Sequence, residues 1–357
     1  MRVMIITDAW HPQINGVVRT YEHLIETITS EYHKEIDIHL ISPLDFKYHF
    51  TLPAYPEIRL CLLPKKHLHD LIAHHNPTAI HIATEGTLGW AARSICMKGN
   101  IPFTTAYHTH FPYYISKRLK GIFKIFAPTA EKIIIALLRH FHKTSSAIMV
   151  TTQTMQQELT QWAFPALQMK IMTRGIDHDI FYMDDEKHND LFKDFKRPVA
   201  LYVGRVAIEK NLSAFLDAPW DGSKVIIGQG PDLEKLKQSY PTAHFLGAKS
   251  GKELGDSYRA ADIFVFPSLT DTFGMVLTEA MACGLPIAAY PVTGPNDIVT
   301  QDFLGALNDN LSTAMQQAYI LSKDSTLKQQ RAHYAKQKYS WKIAAMQFIA
   351  PFWKLRD

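Results

Sequence analysis

Residues 262–290 read DIFVFPSLTDTFGMVLTEAMACGLPIAAY. The apolar run 262–266 predicts a buried strand, and residues 287–290 predict another. Between them Thr272, Phe273 and Gly274 open a helix that carries Glu279 beside the small and apolar Ala280, Met281, Ala282 and Cys283. Strand, loop, helix and strand in that order make one turn of a β–α–β alternation. The alternation continues outward. Residues 199–203, 224–227 and 243–246 predict strands ahead of this stretch. An earlier series falls at 2–7, 35–41, 78–83, 103–106 and 147–151, with helix-like segments at 17–29 and 87–97. Such a pattern builds doubly wound parallel sheets with helices on both faces. Two series predict two Rossmann-like α/β domains, 1–172 and 173–339, joined within the polar stretch 171–196. Residues 340–357 predict a last helix, apolar at Trp341, Ala345, Phe348 and Phe352, which must dock on something. Crossing back to the N-terminal domain is one way to do so. Ligands of these sheets bind beyond the carboxyl ends of the strands, so two facing sheets predict a deep interdomain cleft.

The length of 357 residues suits about two domains of 150–200 residues. A hydrophobic share of 46% and a charged share of 20% predict a soluble globular protein with filled cores. Cys61, Cys96 and Cys283 are too few and too scattered for a disulfide framework or a metal cluster, and fit a reducing cytosol. The chain opens MRVMIITD and enters a strand at once, with no charged-then-apolar leader. No apolar run approaches the roughly 18 residues of a spanning helix. A cytoplasmic protein is expected, on the inner face of the membrane if it meets one.

The net charge of +4 is unevenly placed. Between Tyr113 and Lys143 lie seven Lys and Arg (Lys117, Arg118, Lys120, Lys124, Lys132, Arg139, Lys143) against the single acid Glu131, a local excess of +6. Before Pro128, Leu119, Ile122, Phe123 and Phe126 share one helical face and Lys117, Lys120 and Lys124 another. After it, Ile133, Ile134, Leu137, Leu138 and Phe141 form a broad apolar stripe. The second half reads as core and the first as partly membrane-facing, an interfacial element for anionic lipid. The bland alternative makes the whole stripe core and the lysines a solvated face. Nucleic acid is a poor partner here, since the expected cleft has no spread of basic and aromatic residues.

Several strand-end loops carry chemistry. Arg205 and Lys210 follow strand 199–203; they are either plain surface cations or a fork and a point charge suited to phosphate oxygens. Gly274 admits a phosphate to the open amides of its helix. Asp271 and Glu279 are bidentate acceptors for the vicinal hydroxyls of a ribose or hexose, Glu279 having an exposed helical acid as its bland reading. Gly228-Gln229-Gly230 is too short for a dinucleotide fingerprint, because Leu233 stands at the third glycine, and reads as a tight strand-to-helix turn. A nicotinamide dehydrogenase is disfavoured. His108 follows strand 103–106, whereas His110, His140 and His142 read as surface.

Together these residues resemble a known family. GR at 204–205 with KN at 210–211, Asp271-x7-Glu279 with FG at 273–274, and EAMACGLP at 279–286 are similar to the retaining glycosyltransferase family four of the GT-B fold. TDAWHPQINGVVRT at 7–20, AYHTHFPYY at 106–114 and TRGIDHDIF at 173–181 resemble its mannosyltransferase-like and sulfoquinovosyltransferase-like members. The resemblance implies two facing Rossmann-like domains and roles position by position. Gly16 would offer its amide to the donor phosphates, Arg205 and Lys210 would bind the diphosphate, and Glu279 the ribose. Gly230, Phe273, Gly274, Met275 and Val276 complete the donor side. Asp271 stands where the family usually has a glutamate on the donor sugar, a departure about 1.5 Å shorter. His108 would contact the transferring sugar. Tyr107, Tyr114, Lys117, Arg118, Lys120 and Lys124 fall on the acceptor or membrane side.

The implied reaction is metal-independent, retaining transfer of a mannose- or glucose-type hexose. The co-substrate is a GDP- or UDP-linked sugar, no other cofactor is expected, and the acceptor is lipid-linked or a glycan. The rivals are a GT-B epimerase or phosphorylase and a non-catalytic sugar- or lipid-binding relative.

Overall fold

The computed structural model describes residues 1–13, 15–52, 55–108, 127–184 and 189–354. The chain divides into two compact units, Met1–Arg174 with Trp341–Asp357, and Gly175–Ser340. The strands in chain order are β1 (Arg2–Ile6), β2 (Asp37–Ile41), β3 (His49–Leu52), β4 (Tyr55–Cys61), β5 (Ala79–Ile82), β6 (Phe103–Tyr107), β7 (Ala147–Val150) and β8 (Met169–Ile171) in the N-terminal unit. The C-terminal unit has β9 (Val199–Val203), β10 (Ser223–Ile227), β11 (His244–Phe245), β12 (Ile263–Phe266), β13 (Ile287–Ala289) and β14 (Gly305–Leu307).

In the N-terminal unit six parallel strands lie in the order β2-β1-β5-β6-β7-β8, and β3 and β4 form a separate antiparallel ribbon. A doubly wound sheet must be apolar on both faces, and β1 shows how one strand serves two cores. Val3 and Ile5 pack with Tyr21, Leu24 and Ile28 of helix Gly16–Glu31. Met4 and Ile6 pack on the other face with Leu68, Ile72, Leu88 and Ala92. The last helix, Trp341–Trp353, completes the first face with Ala344, Ala345, Phe348, Ile349 and Phe352. It is tied by Gln347 Oε1, which accepts from the amide and hydroxyl of Thr173 at 2.8 Å each, and by Lys342 with Glu31 at 2.8 Å.

Phe348 is fully buried, its ring 4.9 Å from His81 and 5.3 Å from Phe352. Phe348→Ala should therefore destabilise the N-terminal unit by about 3–5 kcal/mol. A urea midpoint within error of wild type would show that the helix adds nothing to this core.

The C-terminal sheet runs β11-β10-β9-β12-β13-β14, all parallel. Val199, Leu201 and Val203 of β9 face one core, Ala200 and Tyr202 the other. The strand order reverses between β9 and β12 here, and between β1 and β5 in the N-terminal unit. In open α/β sheets these reversals open a crevice at the carboxyl ends.

Two differences from the sequence reading concern burial. The stripe on helix Ala127–His142 is only partly core: Leu138 and Phe141 are buried, but Ile133 is 63% and Leu137 52% exposed. His142 is not a surface residue. It is fully buried, with Nδ1 2.9 Å from Thr105 Oγ1 and Nε2 3.2 Å from Glu85 Oε1. Glu279 is only 5% exposed, in keeping with the small and apolar residues beside it and not with the bland reading of an exposed acid. His140 is exposed, and His110 lies outside the described residues. So do Tyr114, Lys117, Arg118, Lys120 and Lys124.

Candidate active site

In the C-terminal unit the reversal brings the β9 and β12 loops side by side. The chain leaves β9 through Gly204 and Arg205, makes a 3-10 turn over Ile208–Lys210 and reaches Asn211 in the left-handed region. Asn211 Nδ2 donates to Pro267 O at 3.1 Å, which fastens this loop to the one after β12. Across that junction Lys210 Nζ donates to Asp271 Oδ1 at 2.5 Å, both side chains less than a fifth exposed. Arg205 is half-buried on the same loop. The second oxygen of Asp271, with Glu209 Oε2, Ser268 Oγ and Thr270 Oγ1, is buried without a hydrogen-bond partner among the described residues. Buried polar atoms ordinarily have partners, so a group of bare ones at a strand-end reversal is a candidate ligand site.

Helix Met275–Ala282 begins just after these loops, its N-cap Gly274 at φ 85 with no side-chain cap. Its first amides therefore lack the side-chain acceptor that a Ser or Asp cap would supply. Glu279 sits in this helix, and its Oε2 accepts from Tyr258 Oη at 2.8 Å. Met275 and Val276 are half-buried in the first turn, while Phe273 is a core residue with its ring edge on Tyr339. Gly228 and Gly230 have a packing reason. A Cβ at Gly228 would lie 1.8 Å from Gly204 O, and one at Gly230 would lie 2.2 Å from Val206 O. The two loops approach too closely for any side chain.

The N-terminal unit gathers a different set at its own reversal. Asp8, at the end of β1, is buried and accepts from the amides of Leu88 and Gly89 at 2.8 and 3.2 Å. The hydroxyls of Thr84 and Thr87 add bonds at 3.0 and 3.3 Å, so Asp8 caps helix Thr87–Gly99 from another strand. Burial pulls its pKa up, against the four donors. Asn15 Oδ1 caps helix Gly16–Glu31 through the amides of Val17 and Val18. Nothing lies within 4 Å of where a Cβ on Gly16 would be. Tyr107, by contrast, is wholly buried against His142 and Phe164.

His108 stands in a hydrogen-bonded chain. Arg174 Nη2 lies 2.9 Å from its Nδ1, and its Nε2 is 2.8 Å from Tyr21 Oη. Tyr21 Oη is 2.7 Å from His81 Nε2, and His81 Nδ1 is 2.8 Å from Thr104 Oγ1. A guanidinium only donates, which fixes the direction. His108 accepts at Nδ1 and donates from Nε2 to Tyr21, Tyr21 donates to His81, and His81 donates to Thr104. Both imidazoles are neutral in that pattern.

Burial first, then the charge of Arg174 and the neighbouring His81 and His142, hold the His108 pKa well below its usual 6.5. Burial takes His81 down to about 3. Since both protonate more readily when unfolded, the unfolded chain binds more protons as pH drops below about 6.5, and stability falls there by about 1.4 kcal/mol per pH unit for each. Urea melts should show a smaller loss between pH 7 and pH 5 in His81→Asn and His108→Asn than in wild type. An equal loss in all three would mean that other groups carry it.

The local motifs pointed to Arg205, Lys210, Asp271, Glu279 and His108. Asp8, Tyr21, His81 and Arg174 were missed, although Asp8 and Arg174 lie within the quoted segments 7–20 and 173–181.

Residues 14–180 match Glycosyltransferase Family 4, and residues 183–341 match Glycosyl transferases group 1. The chain is a group 1, family four glycosyltransferase. This glycosyltransferase is 30% identical to the sulfoquinovosyl transferase SQD2 of Arabidopsis thaliana over 71% of its own length and half of that protein's. It is 27% identical to a GDP-mannose-dependent alpha-mannosyltransferase of Mycobacterium tuberculosis, covering 86% of itself and 83% of the relative. The alpha-monoglucosyldiacylglycerol synthase of Acholeplasma laidlawii is also 27% identical, over 80% and 79%. Its fold is the GT-B fold, shared with the sucrose-phosphate synthase of Thermosynechococcus elongatus at a TM-score of 0.75, 20% identity and 99% coverage of both chains. Among the described residues no helix is long and apolar enough to cross a membrane.

Proposed function

We propose that this glycosyltransferase moves a mannose- or glucose-type hexose from a GDP- or UDP-linked donor to a lipid-linked or glycan acceptor at the membrane surface, with retention and without a metal. The observation that carries the reading is the Lys210–Asp271 pair at the β9/β12 reversal, beside Arg205 and the bare polar atoms. A diphosphate suits Arg205 and Lys210, a ribose suits Glu279, and sugar hydroxyls suit Asp271. Gly16 and His108 are the proposed contributions of the N-terminal unit. The names of the mannosyl and glucosyldiacylglycerol relatives support the hexose and the lipid acceptor.

In the transfer, the bond from anomeric carbon to phosphate oxygen breaks and a bond from acceptor oxygen forms on the same face. The departing phosphate takes the acceptor's proton. Arg205, Lys210 and the amides at Met275 would hold the charge that grows on the leaving group.

A thermal-shift panel of nucleotide diphosphate sugars tests the donor. A ligand at 100 times its Kd adds about 2.7 kcal/mol, a clear shift for the right donor. Turnover with and without acceptor then separates transferase from epimerase and from binding protein. Activity should survive EDTA; a strict need for Mg²⁺ or Mn²⁺ contradicts the metal-free reading, and donor turnover as fast without acceptor as with it contradicts transfer.

A further inference from the structure

The ribbon of β3 and β4 is apolar on its outward face. Phe50 pairs with Leu60 and His49 with Cys61, and Leu62 N donates to Tyr48 O at 2.9 Å. Side chains alternate across a strand, so Tyr48, Phe50, Leu60 and Leu62 share one face and Cys61 lies on the other. Cys61 is buried in the core. A ribbon packed on one side normally turns polar residues to water. Here Tyr48 is 65% and Leu62 57% exposed, Phe50 is exposed beside them, and Leu44 and Leu63 extend the patch.

Leu63 is the strongest sign that this face is made for contact. It is 87% exposed and sits at φ 49, in the left-handed region. A branched side chain is strained there, more so ahead of a proline, and Pro64 follows. Leu63 lies in the turn from β4 into helix Lys65–His75, and that turn holds the leucine out in solvent. Cations flank the patch: Lys47, with Nζ 5.5 Å from the Tyr48 ring centre, and Lys65 and Lys66 just beyond Leu63 in the chain. Of the two acids between 43 and 66, Asp45 spends its carboxylate on the Ser42 amide, 2.8 Å away.

We infer that the β3–β4 ribbon is a lipid-docking element, with Tyr48, Phe50, Leu62 and Leu63 entering the headgroup–acyl boundary of an anionic bilayer while Lys47, Lys65 and Lys66 meet its phosphates. Exposed apolar patches with a rim of the opposite charge mark such contacts. A second copy of the chain is the weaker occupant. A stable dimer needs about 800 Å² and 20–30 residues from each partner, far more than this cluster of six. The inference rests on the membrane reading above but uses none of the basic segment 117–124.

Full-length protein is mixed with vesicles of equal phosphatidylglycerol and phosphatidylcholine, or of phosphatidylcholine alone, and sedimented. Wild type should partition to the anionic vesicles and leave them as salt rises. Leu63→Asn should lower partition about 10-fold, the size of one leucine's transfer. Its melting temperature should stay equal or rise, because Asn tolerates the left-handed region. Phe50→Ser with Leu62→Ser should lower it further, and donor hydrolysis without acceptor should be unchanged in both.

If wild type meets no vesicle at all, the ribbon and the membrane reading fail together. Binding by wild type that both variants match sinks the ribbon alone and leaves the membrane reading to the basic segment. Equal binding to neutral vesicles overturns the anionic assignment. A concentration-dependent dimer that Leu63→Asn abolishes gives the face to a second copy instead.

Discussion

Lys210→Ala should lower transfer about 10²-fold or more, and Arg205→Ala by a similar factor, since each removes a fixed charge from the departing diphosphate. One such donor is worth about 2.7–4 kcal/mol in the transition state. The pairing with Asp271 complicates the first variant. With Lys210 gone, Asp271 keeps a poorly solvated carboxylate whose Oδ1 has lost its donor at 2.5 Å. A drop in rate could then report a displaced Asp271 rather than a lost phosphate contact. The double variant separates them. If Lys210 acts on the phosphate, Lys210→Ala still costs most of its factor in an Asp271→Asn background, where no carboxylate is left to strand. If it serves only to hold Asp271, its effect vanishes there. An Arg205 that acts on the phosphate alone predicts that Arg205→Ala adds to Asp271→Asn almost fully. Near-normal turnover in a folded Arg205→Ala or Lys210→Ala protein would take that residue out of the mechanism.

The strands that the sequence declares are those that must bury both faces. β9 and β12 are unbroken apolar runs, as β1 is after Arg2, because helices cover them on either side. β8 and β14 declare nothing. MKI and GAL are three residues each at the ends of their sheets, and they are strands because β7 and β13 offer them a ladder. The β3–β4 ribbon is obscured by its prolines and by an apolar face turned the unusual way.

The site divides along the same line. Arg205, Lys210, Asp271 and Glu279 are legible because each lies a fixed few residues from its own strand end or helix start. The burial of Glu279 is foreshadowed by the small residues after it. Tyr21, His81 and Arg174 are not legible, since the hydrogen bonds that define them join residues 60, 87 and 66 positions apart. His142 was misjudged for the same reason: its partners, Thr105 and Glu85, are 37 and 57 residues away. Local pattern reveals which groups can do chemistry, and only the fold reveals which of them hold one another still.

The two acids should part company in calorimetry. Glu279→Gln should weaken the free nucleoside diphosphate and the intact donor alike. If Glu279 holds the ribose, the lost bond to a charged acceptor is worth about 1.5–3 kcal/mol, or roughly 10- to 150-fold in Kd. Tyr258→Phe gauges how far that depends on aim, since its hydroxyl fixes one oxygen of Glu279 at 2.8 Å. It should cost less than Glu279→Gln and follow the same pattern over the two ligands. Asp271→Asn should behave differently. Its Oδ1 is turned to Lys210 while Oδ2 has no partner among the described residues, which in the proposed role leaves Oδ2 for a sugar hydroxyl. The variant should leave nucleoside diphosphate binding nearly intact and cut affinity or turnover only for the whole donor. Asp271→Glu then probes the one-methylene departure. The longer arm carries the second oxygen about 1.5 Å further, enough to change which hydroxyl it meets, and axial or equatorial hydroxyls are what separate mannose from glucose. A shift in donor preference would place Asp271 on the sugar. A loss of nucleoside diphosphate affinity in Asp271→Asn as large as that in Glu279→Gln would place both acids on the nucleotide and end the division of labour.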